Sequence, residues 1–380
     1  MALRYRVLLA ITAAVPLALA GAACSSGGSA GGPAVEPSPA SAASGGAIPL
    51  APASAPEKLS EAGSTLMLKL MGTWAAAYHQ QHPNVSITTA GGGSTMGISQ
   101  ASAGTLSIGA SDAYLSSGDL VKNPTLLNVP LAISAQQVNY HVPGLPPGTN
   151  LHLDGQVLAQ MYDGKITTWN DPAIVRLNPR VPLPAVPVKP LHRSDGSGDT
   201  FLFTSYLSTH DSKWNKAVGY GTTVAWPPAT GAQAANGNQG MVNLCRDTVG
   251  CVAYIGISFQ SAAKDAGLGE AMLANTLGQY ELPSPASINA AVASFVSSTP
   301  TNETISMVDG PAPGGYPIVN YEYAIVSTRQ RDATMARDIK AFLHWIITAG
   351  NSGGYLAAVQ FQPLPGPLVS LGDAQIAKIR

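Results

Sequence analysis

Short apolar or alternating runs begin at Leu59 and continue to the C-terminus, separated by stretches with helical spacing. Val85–Ala90, Leu106–Ala110, Gln137–Val142, Val186–His192, Val252–Ile257 and Ile318–Thr328, several of them rich in Val, Ile and Tyr, predict strands. Thr65–Gln81, Thr95–Ala103, Gly155–Tyr162, Thr200–Thr209, Ser287–Ser297 and Ala333–Gly350 predict helices. In the first of these, Leu66, Leu70, Trp74 and Tyr78 recur every fourth residue, the signature of a buried helix face. The alternation of the two kinds of run predicts layered α/β architecture, with the Pro-rich segments 143–147 and 179–190 as loops inside it. No internal repeat is present.

The N-terminal pattern is of another kind. Arg4 and Arg6 precede an uncharged apolar run from Val7 to Ala20, too short for a comfortable membrane span and laid out as a secretory signal. The run ends Leu19-Ala20-Gly21-Ala22-Ala23-Cys24, and small residues before a lone Cys resemble a bacterial lipobox, although Gly21 stands where Leu is more usual. Residues 1–23 are therefore expected to be a lipoprotein signal peptide and Cys24 the acylated new N-terminus; the alternative is ordinary cleavage with Cys24 incidental. Ser, Gly, Ala and Pro dominate from there to about Pro56, so residues 24–56 read as a flexible tether on the outer face of the cell membrane.

Composition narrows the function. The 380 residues carry 20 Lys plus Arg against 21 Asp plus Glu, and loss of residues 1–23 removes two Arg, leaving 18 against 21. Only 11% of residues are charged, against about 25% in an ordinary soluble protein. A basic patch for nucleic acid is excluded, and any anion must be held by local donors rather than by a general field. Cys245 and Cys251, five residues apart, suit a small disulfide-closed hairpin; a zinc site would need further ligands, and no His lies near. His79 and His82 sit at a helix end beside Pro83 and read as surface, so neither metal nor cofactor is expected.

Three segments share a chemistry. Gly63-Ser64-Thr65, Gly91-Gly92-Gly93-Ser94-Thr95 and Asp195-Gly196-Ser197-Gly198-Asp199 each precede a predicted helix. A helix start leaves unpaired N–H donors and partial positive charge, Gly admits close approach of an oxygen, and Ser or Thr adds a hydroxyl. Any one segment alone is an ordinary cap. Arg193 just before the third could add a bidentate guanidinium held by Asp195, and Asp112 ends a strand where open α/β sheets place ligands.

Through AGST, GASDAYLS, LHRSDGSGDTFLFTSYL, GCVAYIGISF, DGPAPGGYPIVNYEYAIV and FLHWIIT, from about Leu59 to the C-terminus, the chain resembles the PstS-type phosphate-binding lipoproteins of phosphate ABC importers, particularly their mycobacterial members. The resemblance implies a periplasmic-binding-protein fold of type II: two α/β domains, 57–135 plus 320–380 and 136–319, joined by two crossing strands with the ligand in the cleft. It implies inorganic phosphate as ligand and the membrane permease subunits as partner, with a monomeric protein that is not an enzyme. The ligand set it implies is Ser64, Thr65, the N–H of Leu66, Ser94, Asp112, Arg193, Ser197, Gly198 and Asp199. Two departures stand out: Leu66 where many members have Phe, and Asp199 where many have Thr. Asp199 accepts a proton but cannot donate, so the ligand would need protons on more than one face, with Thr200 taking over as donor.

Other readings have specific discriminators. A Ser197-dependent phosphatase would need His192 as base and Asp112 or Asp195 to orient it, but alternation along the strand turns His192 away from Arg193, and the Gly-x-Ser-x-Gly elbow is absent. A binding protein for sulfate or molybdate would have no use for Asp112 as a proton acceptor. An added role as a surface ligand for host or envelope partners stays open.

Overall fold

A computed structural model describes residues 55–146 and 148–380, all within the compact unit Gly45–Arg380. The signal run, Cys24 and nearly all of the tether lie outside the described residues. Twelve strands follow in order: β1 (Glu57–Gly63), β2 (Val85–Gly91), β3 (Ile108–Ser111), β4 (Leu126–Tyr140), β5 (His152–Leu153), β6 (Lys189–Arg193), β7 (Gln233–Ala235), β8 (Cys251–Gly256), β9 (Gly269–Glu270), β10 (Met272–Ala274), β11 (Tyr280–Glu281) and β12 (Val319–Ser327). The main sheet runs β2-β1-β3-β12-β4-β8-β6-β7, with β9 on the end of β4, and β11-β10-β5 form a second, small sheet.

Two strands tie the halves of the main sheet together. β4 pairs antiparallel with β12 from Leu126 to Ala135 and then with β8 from Gln136 to Tyr140. At the changeover the Gln136 N–H donates to the Ile318 carbonyl at 3.0 Å, one residue before β12 begins. On one side β1 lies parallel between β2 and β3; on the other β6 lies parallel between β7 and β8. Parallel strands end together, so Gly63, Gly91 and Ala110 are in register at one set of C-terminal ends, and Arg193 and Ala235 at the other.

The helices cover the sheet as their spacing predicts. Leu66, Leu70, Trp74 and Tyr78 are each at most 1% exposed, and Tyr78 meets Phe342 of the Ala333–Ile347 helix edge-on at 5.0 Å. The first helix starts at Leu68 rather than Thr65, because the Ser64 hydroxyl accepts the N–H groups of Leu66 and Met67 and holds 65–67 as a turn. β4 is far longer than the predicted Gln137–Val142 strand. Pro130 interrupts the pattern of its first half, and a proline cannot donate to a ladder. The sheet absorbs it at a bulge: Glu322 pairs with Ala132 and Tyr323 with Pro130, skipping Leu131.

Cys245 and Cys251 are bonded, with Cα atoms 5.5 Å apart, but they do not close a hairpin. Cys245 ends the Gly237–Asp247 helix and Cys251 opens β8, so the bond staples a helix-to-strand turn. Both are fully buried in a small core with Leu191, Met241 and Ile255. Closing so short a loop constrains the unfolded chain, so replacing both cysteines with alanine should cost about 2 kcal/mol in a urea melt. An unchanged midpoint, with both thiols titratable in the parent protein, would show that the bond does not form.

Candidate functional site

The strand ends converge on a web of buried polar groups. Asp112, 1% exposed just past β3, takes the Ser64 hydroxyl on Oδ1 and the Ser94 hydroxyl on Oδ2 at 3.3 Å. Ser94 Oγ in turn accepts the N–H of Asp112 at 3.1 Å and the N–H of Gly198 at 3.0 Å. One hydroxyl thus links the end of β3 to the start of the Gly198–His210 helix. Gly93 reaches this position with φ of 86°, in the left-handed region that suits Gly.

The second cluster is built around Arg193 at the end of β6, 4% exposed. Its Nε and Nη2 grip Asp195 in a bidentate pair, the first at 2.7 Å, and Nη1 reaches Asp199 Oδ2 at 2.7 Å. Asp195 also accepts the Gly237 N–H at 3.0 Å, so it is anchored from two sides. Asp199 Oδ2 further accepts Asn238 Nδ2 at 2.7 Å and the Ser197 hydroxyl at 3.4 Å, while Gln136 Nε2 serves its carbonyl at 2.8 Å and Oδ1 at 3.2 Å. Asn238 also bonds Thr65 Oγ1 at 3.1 Å. Leu66 places its N–H on Ser64 Oγ at 3.1 Å, and its side chain fills the space a Cβ on Gly256 would need.

Every residue of the predicted set is therefore in one of two hydrogen-bonded clusters, which the chain itself joins at Ser64–Thr65 and Gly198–Asp199. Thr200 is the exception among the expectations: its hydroxyl pairs with the Tyr254 hydroxyl at 2.7 Å, which takes the Arg193 N–H at 2.9 Å, so it supports β6 instead of donating into the site. His192 stacks on Trp226 with ring centroids 4.8 Å apart and bonds the Arg193 carbonyl, which leaves it no contact with Ser197. Three contributors were not anticipated. Asn238 follows Asn236 and Gly237, a fourth small-residue helix start that the three-residue β7 hides. Gln136 lies at the strand crossing, and Glu322 on β12 lies opposite Asp112, one step past the Tyr323–Ser111 pair. Both were legible as polar residues inside apolar runs.

The charges are unbalanced. Burial lifts Asp112 to about 6, with the Asp199 carboxylate adding to the rise, against opposing bonds from Glu322 and Ser64 and the charge of Arg193. Burial also opposes charge on Arg193 and Asp195, but their mutual pairing wins: Arg193 stays above its ordinary value and Asp195 below. A single cation thus faces Asp195, Asp199 and Asp112. Chemically this is a cage of N–H and O–H donors with one guanidinium and two carboxylate acceptors, able to hold a small oxyanion that itself carries protons.

Comparison with known proteins agrees with the fold. Residues 50–349 match the model of the PBP superfamily domain. The phosphate-binding protein PstS of Methanocaldococcus jannaschii is 33% identical over 333 residues, covering 82% of this chain and 83% of that protein. The phosphate-binding protein PstS 3 of Mycobacterium leprae is 31% identical over 320 residues, covering 81% and 83%. A crystal structure of an ABC-type phosphate transport receptor from Vibrio cholerae shares the fold at a TM-score of 0.53 and 18% identity, covering 81% of this chain and all of that one. The chain belongs to the PBP superfamily and, within it, to the family of PstS phosphate-binding proteins.

Proposed function

We propose that the protein captures inorganic phosphate outside the cytoplasm and delivers it to the permease subunits of an ABC importer, acting as a monomer held to the membrane through an acylated Cys24. The observation that carries this reading is Asp112, a carboxylate 1% exposed among donors that suit an anion. A donor cage alone would hold any tetrahedral oxyanion. At neutral pH phosphate carries at least one proton and sulfate none, so a buried acceptor favours phosphate and repels sulfate. Asp199 as a second acceptor favours a phosphate with two hydroxyls, and Arg193 with the Gly198 N–H and the hydroxyls of Ser64, Thr65, Ser94 and Ser197 answers the remaining oxygens.

Ligand capture is a closure of two bodies, 57–135 plus 320–380 and 136–319, around β4 and the entry to β12. Ser64, Thr65, Leu66, Ser94 and Asp112 belong to the first body, and Arg193, Ser197, Gly198 and Asp199 to the second. The relatives are phosphate-binding proteins, and His192, the base a Ser197-dependent phosphatase would need, is stacked on Trp226, which favours binding over reaction.

Asp112→Asn removes the charge and offers a donor, so calorimetry should show phosphate preference over sulfate falling from roughly a thousandfold to near parity. An unchanged ratio would remove Asp112 from selectivity and favour a general oxyanion binder. Gly198 supports closure through close approach: a Cβ there would stand 2.5 Å from Asp112 Cβ and 2.6 Å from Ser94 Oγ. Gly198→Ala should therefore lower phosphate affinity at least about a hundredfold by preventing closure, with little change in melting temperature. Parent-like affinity in that variant would mean that the ligand does not need the two bodies to meet there.

A further inference from the structure

Beside Asp112 lies a second buried carboxyl. Glu322 is fully buried on β12, and the bulge at Pro130 sets its place in the ladder. Its neighbour two residues back on the same strand face, Asn320, donates its side-chain amide to the Asp112 carbonyl, so β12 touches Asp112 twice. The Ser134 hydroxyl donates to Glu322 Oε1, whereas Oε2 receives no donor. The antiparallel pairing of Tyr323 with Ser111 sets Glu322 opposite Asp112 at the next position of the β3–β12 ladder, so the two carboxyls are neighbours.

Two ionised carboxylates cannot bond each other; one must carry a proton. The donors decide which. Asp112 has a hydroxyl on each oxygen, Ser64 on Oδ1 and Ser94 on Oδ2, which stabilises its anion. Glu322 has a donor on one oxygen only, and its other oxygen becomes satisfied once it is an O–H. The other titratable groups facing Glu322 are Asp199 from the head of the Gly198–His210 helix and Tyr323, its chain neighbour. Arg193 is the nearby cation, but its guanidinium is committed to Asp195 and Asp199.

We infer that Glu322 is a positioning residue of the site: as a neutral carboxylic acid it donates its proton to Asp112 and so keeps that carboxylate ionised and aimed at the ligand. This deepens the phosphate reading and rests on it for the role of Asp112. Burial, with the Asp112 and Asp199 charges adding, raises Glu322 well above the ordinary carboxyl range, consistent with a proton retained at neutral pH. As pH rises and that proton is lost, two adjacent buried anions appear, and phosphate affinity should fall.

The test pairs a ligand-independent readout with a binding one. Infrared difference spectra of the stripped full-length protein at neutral pH, parent minus Glu322→Gln, should show a protonated-carboxyl stretch; the subtraction separates Glu322 from Glu61 and Glu303, whose carboxyls burial also pushes up to about 8. By calorimetry, Glu322→Gln, whose amide still donates, should bind phosphate within about threefold of the parent at neutral pH, while Glu322→Met, which cannot donate, should lose about tenfold or more. Glu322→Gln should also lack part of the alkaline loss of affinity seen in the parent. Absence of the band from the difference spectrum, equal losses in the Gln and Met variants, or superimposable pH profiles for parent and Gln variant would each overturn the assignment. Because the infrared arm needs no ligand, a parent protein that binds no phosphate would sink the phosphate reading alone, and the band would still decide where the proton is.

Discussion

The buried guanidinium of Arg193 is the group on which the rest of the site depends. Removing a cation from water costs several kcal/mol, and the cost is offset only by pairing of good geometry. Asp195 supplies that pairing along two parallel bonds and is itself fixed by the Gly237 N–H. The guanidinium plane is thereby set before any ligand arrives, and only Nη1 points to the interior, where Asp199 now receives it. A pre-set fork spares the ligand the entropy of ordering a long side chain. The same economy applies to Asp112, which is held by hydroxyls in front and by β12 behind.

Topology brings these two fixed groups together. The parallel strands of each half end at the site, and among the described residues β4 is the strand that pairs into both halves, with the entry to β12 bonded to it at Gln136. Those two strands carry Gln136, which bonds Asp199, and Glu322, which backs Asp112. In the proposed closure, the two crossing strands are thus bonded directly to the acceptors, β4 through Gln136 to Asp199 and β12 through Asn320 to the Asp112 carbonyl.

Much of this was readable from the chain. Val85–Ala90, Leu106–Ala110 and Val252–Ile257 lie within two residues of β2, β3 and β8 at each end, because β8 is a continuous buried apolar run and β2 alternates as a half-exposed edge strand does. The Gly-rich starts at Ser64, Ser94 and Ser197 marked hydroxyls that the structure gathers on Asp112 and Asp199. The failures share a cause: features whose signal is tertiary. Pro130 masked the first half of β4 because a bulge that tolerates proline has no local signature. β7 is too short to show periodicity, so the Asn238 helix start after it stood out of context. The cysteine spacing was right for a bond but silent on whether helix or hairpin carries it.

The central claim is that this cage holds phosphate, tightly enough to survive purification, because its acceptors require a protonated oxyanion. The direct measurement is to denature the purified protein, without prior stripping, and identify the anions released. The account predicts inorganic phosphate equimolar with the protein and no sulfate, even from sulfate-containing buffer. Release of sulfate in phosphate's place, or failure to retain phosphate after loading with it, would contradict it.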